Sequence, residues 1–245
     1  MKTERKNPNR EHRKLTMEVM VLSELKREQK SARHFAVLHD SGHHLDVFFL
    51  VMDLLGPSLH NLRKKQPKRV FSVGTALEVS RQMLSAIQLL HLSGFLHRDL
   101  KPDNLAIGVG DKRRTIVLID FGLARKIFNS DGRIKYPREA CNPKGTTKYA
   151  SVNCLRGIDQ GCNDDLECWM YSLWEFILPD GLPWKYLVEN DQILEVKEKV
   201  RKGIHREKLF ERVPSIAKDL DRILTYIISL HYYSPPDYEY LHRAL

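Results

Sequence analysis

Leu15, Val19 and Leu22 recur at helical spacing, and the pattern predicts a helix over residues 13–30. The residues before it are basic and carry no apolar period. Two blocks follow, residues 35–38 and 47–52, whose apolar, β-branched and aromatic side chains read as strands, with the turn-like Asp40-Ser41-Gly42 between them. Leu55-Gly56-Pro57-Ser58 breaks the second strand, and a short helix is expected beyond it. Residues 63–69 form a basic run interrupted by Pro67, hence a loop. The longest helical pattern covers residues 75–91, with Met83, Ile87 and Leu90 on one face and Gly94 placed to end it. Short apolar strands are expected at 105–107 and 115–119, joined by a loop. Residues 121–150 show no period, and helices are expected at 164–178, 191–201 and 215–230. No internal repeat is present. The order is a small mixed front part and a mainly helical back part, an α+β arrangement with its boundary near residues 55–57.

Composition narrows the class. A chain of 245 residues can bury a sizeable core without staples, and 29% charged against 42% hydrophobic residues excludes wholesale disorder. Forty Lys and Arg against 31 Asp and Glu leave a formal charge of +9, which suits an acidic partner. Cys141, Cys154, Cys162 and Cys168 show no C-x-x-C spacing, so a zinc or redox motif is not expected and reduced thiols are. The N-terminal residues do not read as a signal peptide, and the longest apolar runs are far too short to span a bilayer. These features point to an intracellular protein of the cytoplasm or nucleus with no membrane association; a monomer is the expected state.

The chemistry is concentrated in His97-Arg98-Asp99-Leu100-Lys101-Pro102-Asp103-Asn104. Asp99 and Asn104 lie between a long helix and a strand, and Asp120 ends the next strand in Asp120-Phe121-Gly122. A turn that brings these strands together would converge all three side chains on one cleft. Asn104 and Asp120 supply oxygen ligands of the kind Mg²⁺ takes alongside phosphate oxygens. Asp99 would remain to accept a hydroxyl proton.

This spacing is the protein-kinase pattern of catalytic loop and magnesium loop. The resemblance extends over nearly the whole chain and implies a bilobal kinase fold, with an incomplete small lobe at residues 1–55 and a large lobe at 56–245. Residues 145–153 resemble the casein kinase I version of the activation-segment end, and residues 54–59 that family's hinge. Asp164-Asp165-Leu166-Glu167 and Leu182-Pro183-Trp184 also match. Residues 94–99 and 149–153 look most similar to the tau-tubulin kinase branch.

The resemblance implies the roles. Asp99 would be the catalytic base, Lys101 would touch the transferred phosphate, Asn104 and Asp120 would hold Mg²⁺, and Thr146 would hydrogen-bond the catalytic loop. Lys101 and Thr146 mark Ser/Thr specificity. ATP would meet Met52 as gatekeeper, backbone groups of Asp53 and Leu55, the ribose contacts Ser58 and Asn61, Ile119 in the cleft, and a Lys2–Glu18 pair. On residue type alone, Ser58 and Asn61 serve equally as helix caps, Glu18 as a solvated helix charge and Lys2 as an exposed terminal lysine. Residues 121–150 carry seven Lys or Arg against two acids, so Arg138, Lys144 and Lys148 would receive acidic or phosphorylated protein substrates.

The sequence departs from the pattern at its start. No glycine-rich loop precedes Lys2, and the chain stops inside what would be the last family helix, so the expected kinase domain is truncated at both ends. A pseudokinase-like binding module is therefore the main alternative to an active Ser/Thr kinase. A nucleic-acid-binding protein would interleave basic and aromatic residues on one face, an organisation not found here.

Overall fold

The computed structural model describes residues 1–6, 14–27 and 33–245. Its front part consists of β1 (Lys2–Arg5), α1 (Lys14–Arg27), β2 (Leu38–His44) and β3 (Val47–Met52). The strands form an antiparallel sheet in the order β1-β3-β2, with Lys2 opposite Leu50 and His43 opposite Phe48. Helix α1 buries Leu15, Glu18, Val21, Leu22 and Leu25, a stripe at three- and four-residue spacing in which Glu18 is the polar exception. Its Leu15 N–H, which no turn of helix can satisfy, donates to Glu4 Oε2 at 2.8 Å and ties the helix to β1. The outer ends of the expected helix, residues 13 and 28–30, lie outside the described residues.

The hairpin differs from expectation. Asp40, Ser41 and Gly42 are not a turn but the middle of β2, and the chain reverses at Leu45 and Asp46, with Leu45 at φ +52°. The apolar run of β3 pairs along its length only when residues 38–44 lie extended beside it. Gly42 faces Phe49, where an added Cβ would lie 2.9 Å from the ring, so this glycine seats an aromatic side chain. Phe35 makes only an isolated parallel bridge to Leu118, which stitches the front part to the back.

Behind Pro57 the chain forms α2 (Leu59–Lys64), α3 (Val73–Leu92), β4 (Phe95–Leu96), β5 (Leu105–Ile107), β6 (Ile116–Leu118) and β7 (Arg125–Lys126). Ser58 and Ser72 cap α2 and α3 through their hydroxyls. Gly94, at φ +81°, turns the chain out of α3 as expected. β5 pairs with β6 and β4 with β7, both antiparallel. Then follow α4 (Val152–Leu155), α5 (Cys162–Ile177), α6 (Asn190–Val200), α7 (Gly203–Phe210), α8 (Ala217–Ser229) and α9 (Tyr238–Ala244). The periodicity locates α5, α6 and α8 and misses α4 and α7. One is a single turn held by its Ser151 cap, and the other has few apolar positions to repeat.

Helix α5 is the centre of the back part. Every residue from Asn163 to Ile177 is buried, so it has no solvent face and its sequence shows no clean stripe. It packs against α3 and α8. Trp169 is fully buried and its indole donates to Ser80 O on α3 at 2.9 Å. Trp174 and Trp184 close the far side with Tyr171 in edge-on ring contacts. Among the described residues no helix is long and apolar enough to cross a membrane.

Trp169→Ala removes a buried ring and its indole hydrogen bond to Ser80 O. A loss of about 3–5 kcal/mol in unfolding free energy is expected, read from the urea midpoint at unchanged m-value.

Candidate active site

The loop after β4 carries the chemistry, and a buried acid on α5 sets its path. Asp165 accepts the backbone N–H of His97 at 2.7 Å, that of Arg98 at 2.9 Å and the His91 Nε2–H at 2.9 Å. These bonds hold Arg98 in the left-handed region at φ +65°, a conformation that side chains other than glycine adopt only when their surroundings enforce it. Burial lowers the pKa of the His97 imidazole. Its Nδ1 accepts the Asp99 N–H at 3.2 Å and its Nε2 donates to Ile119 O at 3.1 Å. The ring thereby couples the loop to the strand that delivers Asp120.

Four groups surround the Asp99 side chain. Thr146 donates its N–H at 2.9 Å and lies with Oγ1 at 3.1 Å from Asp99 Oδ1. Lys101 Nζ reaches Asp99 Oδ2 at 2.8 Å and Thr146 Oγ1 at 2.7 Å. Asn104 Nδ2 bonds Asp99 O at 2.9 Å and Oδ2 at 3.2 Å. Gly145 permits this approach: it sits at φ +90°, and an added Cβ would lie 2.9 Å from Arg98 O. Residues far apart in sequence thus meet at one carboxylate.

Asp120 enters from the end of β6. The Ile119 N–H bonds Asn104 O at 3.0 Å, which sets Asp120 beside Asn104. Asp120 is left-handed at φ +64°, and Phe121 turns inward against His97 and Phe35. The Asn104 amide spends its nitrogen on Asp99. An amide oxygen beside a carboxylate is the hard oxygen pair that Mg²⁺ accepts when phosphates complete its shell, so the donor set fits that ion. Among the described residues no cluster of three His, Cys, Asp or Glu groups offers a metal site of another kind.

Lys2 and Glu18 also meet. Lys2 Nζ lies 2.8 and 3.0 Å from the two Glu18 oxygens, with Glu18 almost wholly buried. Burial raises the Glu18 pKa against the opposing pull of Lys2, and the Asp120 charge adds to the rise. Glu18 is therefore no solvated helix charge, and Lys2 is no free terminal lysine.

The remaining positions fall as follows. Met52 ends β3 half-buried. The Asp53 carboxylate is occupied by the Val37 N–H and His39, and Leu55 is half-buried beside the exposed Leu54. Ser58 uses its hydroxyl to accept the Asn61 N–H at 3.3 Å, so capping is its observed contact, and Asn61 is exposed. Arg138 and Lys148 are each paired with a buried acid, and Arg138 stays exposed. Arg138 bonds Asp159 at 2.8 Å, and Lys148 bonds the buried Glu175 at 2.8 Å. Lys144 is exposed.

Sequence reasoning did not assign functions to Asp159, Asp165, Glu175 or His91. Asp165 stood in a quoted motif, and its signal was an acid in the first turn of an apolar helix. Asp159 receives Arg125 and Arg138. Burial would raise its pKa, but those bonds outweigh it and hold the carboxyl well below its usual range. Arg98 lies close by, its pKa lowered by burial and by Arg138 and Arg125.

A carboxylate, a lysine and an amide in one loop, an Asp-Phe-Gly acid at the end of the next strand and a closed Lys–Glu pair are the marks of one family. The chain belongs to the protein kinase family. The protein kinase domain model matches residues 1–234. A probable serine/threonine-protein kinase of Dictyostelium discoideum is 39% identical over 209 residues, covering 83% of this chain and 40% of that protein. The serine/threonine-protein kinase spe-6 of Caenorhabditis elegans is 37% identical over 245 residues, covering 98% of this chain and 62% of that one. The chain thus spans less than two thirds of the length of these two relatives. The α+β kinase fold expected from the motifs is the one observed.

Two expectations follow for the anchor of this kinase loop. Asp165→Ala strands two backbone donors and a buried imidazole, and should cost about 3–5 kcal/mol of stability by chemical denaturation. Burial would lower the His91 pKa, but Cys162 and Asp165 outweigh it and raise it to about 10. A raised histidine contributes stability that is complete below its ordinary pKa of 6.5 and lost as pH climbs toward 10. The unfolding midpoint should fall across that window in the wild type, and His91→Gln should remove this component of the slope.

Proposed function

We propose that this kinase domain transfers the γ-phosphoryl group of ATP to Ser or Thr hydroxyls of protein substrates. The observation that carries the reading is the assembled set around Asp99, with Lys101, Asn104 and Thr146 in hydrogen-bond contact and the Lys2–Glu18 pair closed. Asp99 is placed to orient the incoming hydroxyl and take its proton, while Lys101 lies beside it to neutralise charge on the phosphoryl group. Thr146 restrains both side chains. Asn104 and Asp120 would hold Mg²⁺, which supplies charge neutralisation at the phosphates when bound. Lys2, fixed by Glu18, would meet the phosphates from the other side of the cleft, with Met52, Asp53, Leu55 and Ile119 toward the adenine. Ser58 and Asn61 remain the proposed ribose contacts.

The same reading extends to class and substrate. Residues 145–153 support a place in the casein kinase I superfamily near the tau-tubulin kinases, and residue types at 101 and 146 support Ser/Thr over Tyr. Acidic or phosphorylated substrates are supported by cation crowding along residues 121–150. Burial lowers the Lys135 pKa, and nearby Arg125 and Lys126 lower it further. With Arg138 and Lys148 paired with internal acids, exposed Lys126 and Lys144 carry charge toward such a substrate alongside the exposed Arg138.

Calorimetry with ATP, with and without Mg²⁺, followed by single-turnover phosphorylation, tests the proposal. Binding should require Mg²⁺ and weaken in Asp120→Asn. Asp99→Asn should lose about 10²–10⁴-fold in rate while binding nucleotide normally. Mg²⁺–ATP binding with no transfer in the wild type would establish the pseudokinase-like module instead.

An acidic or phosphorylated peptide should show higher kcat/KM than a basic one. The gap should shrink as added salt brings the screening length below about 8 Å. Lys144→Glu with Lys126→Glu should narrow it at low salt, and equal rates on both peptides would remove the electrostatic reading.

A further inference from the structure

Lys197, on α6, is fully buried, a rare place for a lysine. Its ammonium donates to Thr147 O at 2.9 Å and to Ala150 O at 2.5 Å. Nζ also lies 4.7 Å from the centre of the Tyr171 ring and 5.1 Å from that of Trp184. Two carbonyls and two aromatic faces therefore receive one cation, which is how a protein shelters a charge it has taken out of water.

The carbonyls belong to the segment that follows Thr146. Three further contacts hold the same stretch. Trp184 Nε1 donates to Lys148 O at 2.7 Å. The Lys148 ammonium and the Tyr149 hydroxyl both reach Glu175. Thr147 O, Lys148 O and Ala150 O thus each have a donor from outside the segment, and Lys197 supplies two of the three. Thr146, at the head of this stretch, bonds Asp99 and Lys101.

We propose that Lys197 is the positioning residue of the substrate-docking segment, fixing the carbonyls of Thr147 and Ala150 so that Thr146 stays on Asp99 and Lys101 and the peptide meets an ordered backbone. The catalytic half of this assignment rests on the phosphotransfer reading above, and the backbone half does not. The charge is not interchangeable with an apolar side chain of the same length. Methionine in its place would leave two buried carbonyls without donors. The surrounding charges are balanced separately: Glu167 bonds Arg201 at 2.5 Å, and among the described residues no carboxylate pairs with Lys197. Burial lowers the Lys197 pKa to about 8, with Glu167 opposing the shift.

The test uses the whole chain and four proteins: wild type, Lys197→Met, Lys197→Gln and Lys197→Arg. Amide hydrogen exchange is followed across residues 146–150 and across α3 and α5. Mg²⁺–ATP affinity and peptide kcat/KM are measured in parallel. Lys197→Met should speed exchange in residues 146–150 selectively and lower peptide kcat/KM by about 10²-fold, the scale of a small misplacement of reacting groups. Its nucleotide affinity should stay at the wild-type level. Lys197→Gln, with one donor group, should fall between, and Lys197→Arg, which keeps charge and donors, should recover most of the loss.

If the methionine protein does not fold, the order of the arginine and glutamine proteins decides. Unchanged exchange at 146–150 in the folded variants would overturn the assignment. So would equal loosening of α3 and α5 with a matching loss of nucleotide affinity, which is what a purely structural lysine predicts. A wild type that turns over no peptide defeats the phosphotransfer reading, and the exchange comparison still decides the role of Lys197 in the backbone.

Discussion

Asp165 accepts two consecutive backbone N–H groups from the loop after β4 and the ring of His91 from the end of α3. That arrangement is what the rest of the site depends on. It holds a buried carboxylate whose partners all come from outside its own helix, so the position of the loop is set by the position of α5. From there the geometry propagates. Arg98 adopts a left-handed backbone, His97 turns to link Asp99 with Ile119, and Asp120 arrives beside Asn104. A buried charge of this kind adds little net stability, because its desolvation offsets its attractions. Its value is specificity: any other path for the loop would strand the carboxylate.

The segment between Asp120 and α5 is held by the same means. Asp159 gathers Arg125 and Arg138, Glu175 gathers Arg63, Lys148 and Tyr149, and Glu167 gathers Arg201, Tyr171 and the Val152 N–H. Lys197 performs the complementary task with carbonyls. A stretch without regular hydrogen-bond ladders must satisfy its backbone and charges through side chains, and here the buried acids come mainly from α5 and the turn before it. This also revises the meaning of the basic residues at 121–150. Part of that charge is internal mortar, and the remainder lies at the surface.

The legible parts of the fold were those with long periods or special residues. Helices α3, α5, α6 and α8 followed from spacing, and the end of α3 followed from Gly94. The hairpin was misread because Asp40-Ser41-Gly42 has turn chemistry, yet pairing with β3 draws it into a strand and Gly42 makes room for Phe49. Helices α4 and α7 were missed because a single capped turn and a polar eight-residue helix carry almost no periodic signal.

At the site, the sequence by itself determined the chemical inventory. Asp99, Lys101, Asn104 and Asp120 lie within 22 residues, and short strands can bring them together in only a few ways. Their types and spacing carried the resemblance to the kinase family, which the protein kinase domain model over residues 1–234 bears out. Only the tertiary structure decided which groups stand behind them. The contacts Lys2–Glu18, Asp165–Arg98, Thr146–Asp99 and Lys197–Ala150 join residues separated by 16, 67, 47 and 47 positions. Local pattern carries no information at that range, because a lone buried Lys or Asp reads in sequence like any solvated charge. Its partner is chosen by where packed helices place it, and by the cost of leaving it unpaired in a dry interior.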